Sequence, residues 1–337
     1  MARMTSAEQA WAAARVTELV ASLLRDAPVL DITSHRGPSG AAIVDCGVDV
    51  RGSWEAGRRI AVVSHAGMMN ATLGVSDVAR LSLPEFVGDS WRPYLSTYGL
   101  QVSFALSEVD PAIRISGPVR AAIDDGLRTT SSAVEGAASR DTNPWGVAVV
   151  ESDRLPDEAV VAAIGRRAGL RPDELTLLVV PSRSLAGVTQ IAGRLNECVL
   201  FTLDQSLGLD PKFVLGILGA VPIAPCGAGA FATQDDMIHY AGRVTMVVDA
   251  PASWSLQVVA DGLVFRSSSA YGRLFSELLA EAGGVFEAIP GLNDLNKVAQ
   301  IAVVDRRTAK MATAGAVDGA ILASAAKRAG RGRDELP

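Results

Sequence analysis

The sequence predicts an α+β fold. Three observations carry that expectation. Stretches with apolar residues three and four positions apart are mixed with short β-branched runs, so helices and strands are both expected. Their order is irregular and does not repeat a strand–helix–strand unit. No fixed period recurs across the 337 residues, which sets aside solenoids and propellers.

The elements follow in order. Residues 6–26 read as an amphipathic helix, because Glu8, Arg15 and Glu18 interrupt the apolar run from Ala7 to Leu24. Short strands are expected at Ala41–Val44 and Ile60–Ser64. Pro84, Pro93, Pro111 and Pro118 then punctuate the chain, and no long regular element is expected among them. A helix can open over Arg120 to Asp124, after a Ser-Gly-Pro turn. Asp141-Thr142-Asn143-Pro144 is the candidate linker, since a residue before proline avoids the helical region. That places an N-terminal subdomain at 1–143 and a C-terminal one at 144–337, with the last strand free to return to the first. Gly146–Glu151 reads as a strand. Pro156-Asp157-Glu158 opens a helix through Ala168, with proline and acids where a helix N-terminus favours them. Leu175–Val180 is a strand, followed by a Ser-rich turn and a helix. Phe213–Leu218 is a short apolar element, and Arg243–Asp249 and Ser255–Phe265 are strand-like or mixed. Tyr271–Ala282 reads as a helix and Ile301–Asp305 as a late strand.

Composition removes several function classes. Apolar residues make up 49% and charged residues 20%, which suits a packed core and argues against disorder. Aromatics are 5% and the net charge is −6, so nucleic acid is not an expected partner. The cysteines, Cys46, Cys198 and Cys226, have no metal-ligand spacing and read as reduced thiols of a cytoplasmic protein. No metal site is expected. No apolar run is long enough to span a membrane, and the N-terminus lacks a signal-peptide core. Lys327, Arg328, Arg331 and Arg333 read as a solvated, frayed tail. There is no Gly-x-Gly-x-x-Gly after a strand, no Walker loop and no Gly-x-Ser-x-Gly elbow. Gly227-Ala228-Gly229-Ala230 lacks the Lys and Ser/Thr of a phosphate loop and reads as structural.

Residues 181–200 hold the densest chemistry. On one continuous helix, Gln190, Arg194 and Glu197 would converge on one side. Gly187 and Gly193 leave room for a ligand or another backbone. A Glu beside an Arg on a rigid element suits a water-activating carboxylate. By spacing alone the same pair is also an ordinary helical ion pair, worth about 0.2–0.5 kcal/mol.

This segment, Pro-Ser-x-Ser-Leu-Ala-Gly-x-Thr-Gln followed by Arg-x-x-Glu, resembles the core signature of methenyltetrahydromethanopterin cyclohydrolases. Ile43-Val44-Asp45-Cys46-Gly47 and the stretch from Gly52 to Ile60 are similar to the family's N-terminal block. Ser116-Gly117-Pro118-Val119-Arg120-Ala121 resembles a Gly-Ser-Gly-Pro-Gly-Arg-Ala loop. Pro222–Pro225 and Tyr240–Val244 match two later blocks. The resemblance implies two α+β subdomains with an intervening cleft, and an oligomer, a trimer or dimer. It implies hydrolysis, or the reverse cyclisation, of 5,10-methenyltetrahydromethanopterin to the N5-formyl form, with the pterin as substrate and no bound cofactor. Glu197 and Arg194 would be the catalytic pair.

Substrate contacts are then expected from Gln190, Ser182, Ser184, Ser116, Gly117, Arg120, Asp45, Asp235, Asp236 and Tyr240. Either serine can instead cap the helix, and Asp45 can instead cap a turn. Glu55 and Arg58 read as a surface pair, and His35 and His65 as ordinary histidines. The chain departs from the family where Ile115 and Val119 add bulk to the Ser-Gly-Pro loop. It departs again where Thr233-Gln234-Asp235 stands for Arg-Thr-Asn. Those departures predict a reshaped pocket and weaker use of the usual substrate. They keep open a paralogous hydrolase for another cyclic amidine or lactam. A non-catalytic pterin-binding relative is the other rival.

Overall fold

A computed structural model of the protein describes residues 5–37, 39–123, 144–227, 230 and 232–334. Helix α1 (Ser6–Arg25) opens on a capping box, with Glu8 N donating to Thr5 Oγ1 at 3.3 Å and Thr5 N to the Glu8 carboxylate at 2.8 Å. A short α2 (Ala27–Leu30) leads to β1 (Thr33–Arg36) and β2 (Ala42–Asp45). The strand expected at Ile60–Ser64 is instead the end of helix α3 (Trp54–Ser64). Ser53 caps it, accepting from Ala56 N at 3.1 Å, and that local signal outweighs the β-branched run. Ile60, Val62 and Val63 look strand-like because all three are buried.

Long strands β3 (Met69–Val78) and β4 (Leu81–Trp91) overturn the expectation for the proline-punctuated stretch. Pro84 lies near the start of β4. The ladder to its later partner begins at Glu85, and Pro84 O accepts from Ile223 N at 2.6 Å, so the missing N–H costs no ladder bond. Strands β5 (Phe104–Leu106), β6 (Asp110–Ser116) and β7 (Val147–Glu151) follow. Helix α4 (Glu158–Ala168), capped by Asp157, leads to β8 (Thr176–Val180). The single helix expected next is two, α5 (Leu185–Ala192) and α6 (Leu195–Gln205). Then come β9 (Val214–Pro222), α7 (Gln234–Ala241) and β10 (Arg243–Val248). The mixed stretch near residue 260 is helix α8 (Leu256–Leu263), and α9 (Phe275–Glu281) starts four residues later than expected. Strands β11 (Gln300–Asp305) and β12 (Met311–Gly315) precede α10 (Gly319–Asp334), which runs into the region read as a frayed tail. Asp124, the linker residues 141–143, Ala228 and Gly229 lie outside the described residues.

The α+β class holds. Among the described residues there are two six-stranded mixed sheets, ordered β1-β2-β8-β7-β6-β5 and β12-β11-β10-β9-β4-β3. The described residues of Met1–Asn70 and Tyr94–Gln190 form one compact unit, and those of Ala71–Pro93 and Ile191–Pro337 form the other. The expected break at 143/144 falls inside the first unit. There β7 pairs with β6 before it (Ile115 opposite Val150) and with β8 after it (Val149 opposite Leu178). β11 lies in the second sheet and does not return to the first.

Strand alternation divides the first unit's core. Val44, Val147, Val149, Leu178 and Val180 pack with Val16, Ile60 and Val63 of α1 and α3. Ile43, Ala148, Val150, Leu177 and Val179 pack with Val160, Val161 and Ile164 of α4. Ile115 and Val119 belong to that second cluster and are fully buried. Their bulk fills the core rather than a pocket wall, which corrects the expectation that they reshape a binding loop. In the second unit α6 and α7 lie on β9, and α8 lies on β11 and β12. Among the described residues no helix is long and apolar enough to cross a membrane.

Candidate active site

The signature segment begins where β8 ends. Ser184 N and Oγ both donate to Pro181 O, at 3.0 and 2.9 Å, and Ser184 Oγ accepts from Gly187 N at 3.0 Å. Ser184 is thus the cap of α5. A Cβ on Gly187 would stand 1.8 Å from Pro181 O, so only glycine lets the helix start this close to the strand end. Ser182 and Arg183 are exposed, and Arg183 pairs with Asp153 at 3.2 Å. Further along α5, Gln190 is fully buried, and neither its amide oxygen nor its nitrogen has a hydrogen-bond partner among the described residues.

The chain breaks helix at Gly193 and Arg194. Arg194 N donates to Ile191 O at 2.9 Å, a tight turn, and Cys198 N donates to Arg194 O at 3.1 Å, the first bond of α6. Arg194 is the N-cap residue, with φ −81° and ψ −4°. Those angles are already helical, so the three-residue spacing to Glu197 survives the break. Arg194 Nη2 lies 3.0 Å from the Glu197 Oε2, and the residues are 9% and 5% exposed. The pair is therefore buried, unlike an ordinary solvated helical ion pair. A carboxylate in the first turn suits the helix dipole, whereas an arginine there does not, so Arg194 depends on its ion pair.

Between them lies Asn196, which the sequence reading passed over. Its Nδ2 lies 3.2 Å from Gly88 O, 3.2 Å from Ser90 Oγ and 3.4 Å from Ile217 O, on β4 and β9. A lone amide between Arg and Glu in an apolar helix turn was the available signal.

Helix α7 starts on a box in which Asp236 N donates to Thr233 Oγ1 at 3.2 Å. Asp236 Oδ2 accepts from Thr233 N and Oγ1 at 2.8 Å each, and Oδ1 accepts from Phe275 N at 2.6 Å. Burial raises the Asp236 pKa against these bonds. Gln234 anchors the same turn, donating to Pro222 O at 3.0 Å and accepting from Ala224 N at 2.8 Å. Asp235 is half-buried. The buried Cys198 thiol is pushed well up, first by desolvation, then by the charges of Glu197 and Asp235, with Arg194 opposing. Glu197, Arg194 and Asp235 therefore share the surroundings of one sulfur. Tyr240 is buried, donates from its hydroxyl to Arg273 O at 2.6 Å and accepts from Gly272 N at 3.1 Å. Asp236 and Tyr240 are thus both tied into the framework.

In the first unit, Asp45 takes three backbone amides, Gly47 N at 2.9 Å, Val48 N at 2.7 Å and Asp49 N at 2.9 Å. It holds a turn, the alternative left open by the sequence. A Cβ on Gly47 would meet Ser184 Cβ at 2.5 Å, so this turn and the Ser184 cap adjoin. Ser116 is buried with no partner for its Oγ among the described residues, and Gly117 has φ 93°, a conformation that needs glycine. Arg120 is fully buried, its guanidinium 5.2 Å from the Phe104 ring centre. His65 Nδ1 donates to Ala61 O, 2.8 Å away, at the end of α3. Glu55 pairs with both Arg58 and Arg59. Among the described residues no group of three or more His, Cys, Asp or Glu side chains is placed to hold a metal ion.

The family model described as Cyclohydrolase (MCH) matches residues 12–325. A methenyltetrahydromethanopterin cyclohydrolase of Methylobacterium organophilum is 32% identical over 281 residues, 81% of this chain and 85% of that protein. One from Methanothermobacter marburgensis is 27% identical over 90% of this chain and 95% of its own length. One from Methanocaldococcus jannaschii is 26% identical over 91% and 95%. With the match running through both units and over the Arg194–Glu197 turn, the chain belongs to the cyclohydrolase family.

Proposed function

We propose that the protein hydrolyses the cyclic methenyl amidine of 5,10-methenyltetrahydromethanopterin to the N5-formyl form, with Glu197 as general base and acid and Arg194 as its partner. The observation that carries this reading is the buried ion pair, 3.0 Å long, at the start of α6 in a chain of this family. The methenyl carbon lies between two nitrogens and is cationic. Water attacks it while Glu197 accepts one water proton, and the C–N π electrons return to nitrogen. The new hydroxyl then loses its proton as the formyl C=O forms. The bond to the second nitrogen breaks, and Glu197 returns its proton there. One water is consumed and one proton released. Arg194 favours the ionised carboxylate and fixes its direction.

Asp235 is proposed to contact substrate beside this pair. In the first unit, Gln190 and Ser116 have buried polar atoms without a partner among the described residues, each suited to a ligand group or an ordered water. Attack on an already cationic carbon needs a base and fixed charge, so the reading includes no metal and no redox cofactor. It takes the protein to be a cytoplasmic homo-oligomer, supported by exposed apolar residues such as Leu215 and Leu218 on β9. The test is loss of the methenyl chromophore with purified protein. Glu197→Gln should stay folded and lose turnover by about 10²–10⁴-fold. A parent protein without turnover, or a fully active Gln variant, overturns the assignment.

A further inference from the structure

The functional pair stands on a helix end with little local support. The break at Gly193 and Arg194 separates α6 from α5, and the N-cap residue of α6 makes no side-chain cap hydrogen bond. Uncapped helix starts fray. Yet catalysis needs the carboxylate held to within a fraction of an ångström.

The missing support comes from the side. Asn196 is 1% exposed and reaches both neighbouring strands of the second sheet, through Gly88 O and Ser90 Oγ on β4 and Ile217 O on β9. The seat is close-fitting: a Cβ on Gly219 would lie 2.5 Å from both Asn196 Oδ1 and Leu195 Cδ2. Leu195 also fills the space over Gly242, where a Cβ would meet its Cδ1 at 2.7 Å. The residues after Arg194 and before Glu197 are thus both locked to the sheet.

We infer that Asn196 is a positioning residue for the hydrolytic reaction: its amide fixes the first turn of α6 on β4 and β9, and so the direction of Arg194 and Glu197. The inference rests on the proposed role of that pair. Asn196 touches no substrate; it acts through its neighbours.

The experiment compares Asn196→Ala and the milder Asn196→Ser with Thr202→Val in the full chain. Thr202 ties the C-terminal half of the same helix to Asn296 O, so its variant controls for general loosening of α6. With methenyltetrahydromethanopterin, Asn196→Ala should lower kcat about 10- to 100-fold while KM stays within about threefold, the signature of misplaced machinery. Asn196→Ser keeps one donor and should fall between Ala and parent, and it serves if the Ala variant does not fold. Thr202→Val should keep parental kcat even where it melts earlier. Amide hydrogen exchange gives a readout that needs no substrate. Protection at Cys198, whose N–H closes the first turn, should drop about tenfold or more in either Asn196 variant and hold in Thr202→Val. Parental kcat in a folded Asn196 variant, or unchanged protection at Cys198, overturns the positioning role. A parent without turnover would instead remove the proposed function, and the exchange result would still decide whether Asn196 fixes the turn.

Discussion

A guanidinium and an ammonium differ most where geometry is fixed. Arg194 lies in a buried pair, so Arg194→Lys keeps the charge but loses the planar fork, and kcat should fall about 10- to 100-fold in a folded protein. Equal rates would leave Arg194 outside the mechanism. Asp235 stands where the resemblance places Asn, and its charge, like that of Glu197, acts on the Cys198 thiol. Asp235→Asn should change KM for methenyltetrahydromethanopterin, because it removes one negative charge from a proposed substrate contact. An unchanged KM would remove Asp235 from substrate contact. His239 offers a pH test. It is stacked on Phe265 at 4.1 Å, and burial lowers its pKa to about 3. In the unfolded chain it titrates near pH 6.5, as free histidine does. Between those values the unfolded state binds the extra proton, so stability falls as pH drops from about 6.5 towards 3. Asp236, raised by burial, works in the opposite sense, so the isolating measurement is a difference. His239→Phe should flatten the dependence of the urea midpoint on pH between 7 and 4. An identical slope would acquit the histidine.

At the level of elements, Gly187 sets how closely α5 can follow β8. Gly187→Ala puts a methyl against Pro181 O, which cannot move without its strand, and should cost about 3 kcal/mol or more. A midpoint shift under about 1 kcal/mol would show that the turn yields. Elements with local punctuation were legible in the sequence. Asp157 before α4, the acids of α1 and the apolar run of β8 act over a few residues, and each appears where the sequence puts it. What was not legible depends on distant partners. The Ile60–Ser64 run is β-branched because α3 is buried, and Pro84 is tolerated because the ladder starts one residue later. The helix break at Gly193 is silent in an apolar pattern. Within the site, the Arg-x-x-Glu spacing was readable, but Asn196 acquires meaning only from carbonyls on β4 and β9. For Asp45 and Asp236 the sequence did not reveal that both carboxylates accept backbone amides.

For the whole molecule, two solution properties follow from the proposed reading. Turnover should stay within about twofold of its starting value after exhaustive chelation and dialysis, since water and one carboxylate suffice; activity that returns only with added zinc or iron would end the metal-free reading. Light scattering should give a mass at least twice that of the 35.1 kDa chain, and a monomer at working concentration would remove the oligomer. The chain passes from the first unit to the second after Asn70, returns at Tyr94 and leaves again after Gln190. The hairpin of β3 and β4 is therefore inserted early into a sheet whose centre is encoded late, since β4 pairs with β9, Trp91 opposite Gly216. On the ribosome that hairpin emerges well before its partner. At about 5–20 residues per second it waits roughly 6–25 s with a strand edge open. Native pairing at such separation is slow, and an open edge is a template for wrong partners. Refolding yield of the full chain should thus fall as concentration rises, and a holdase present during synthesis should raise the soluble fraction by shielding one specific segment, residues 71–93.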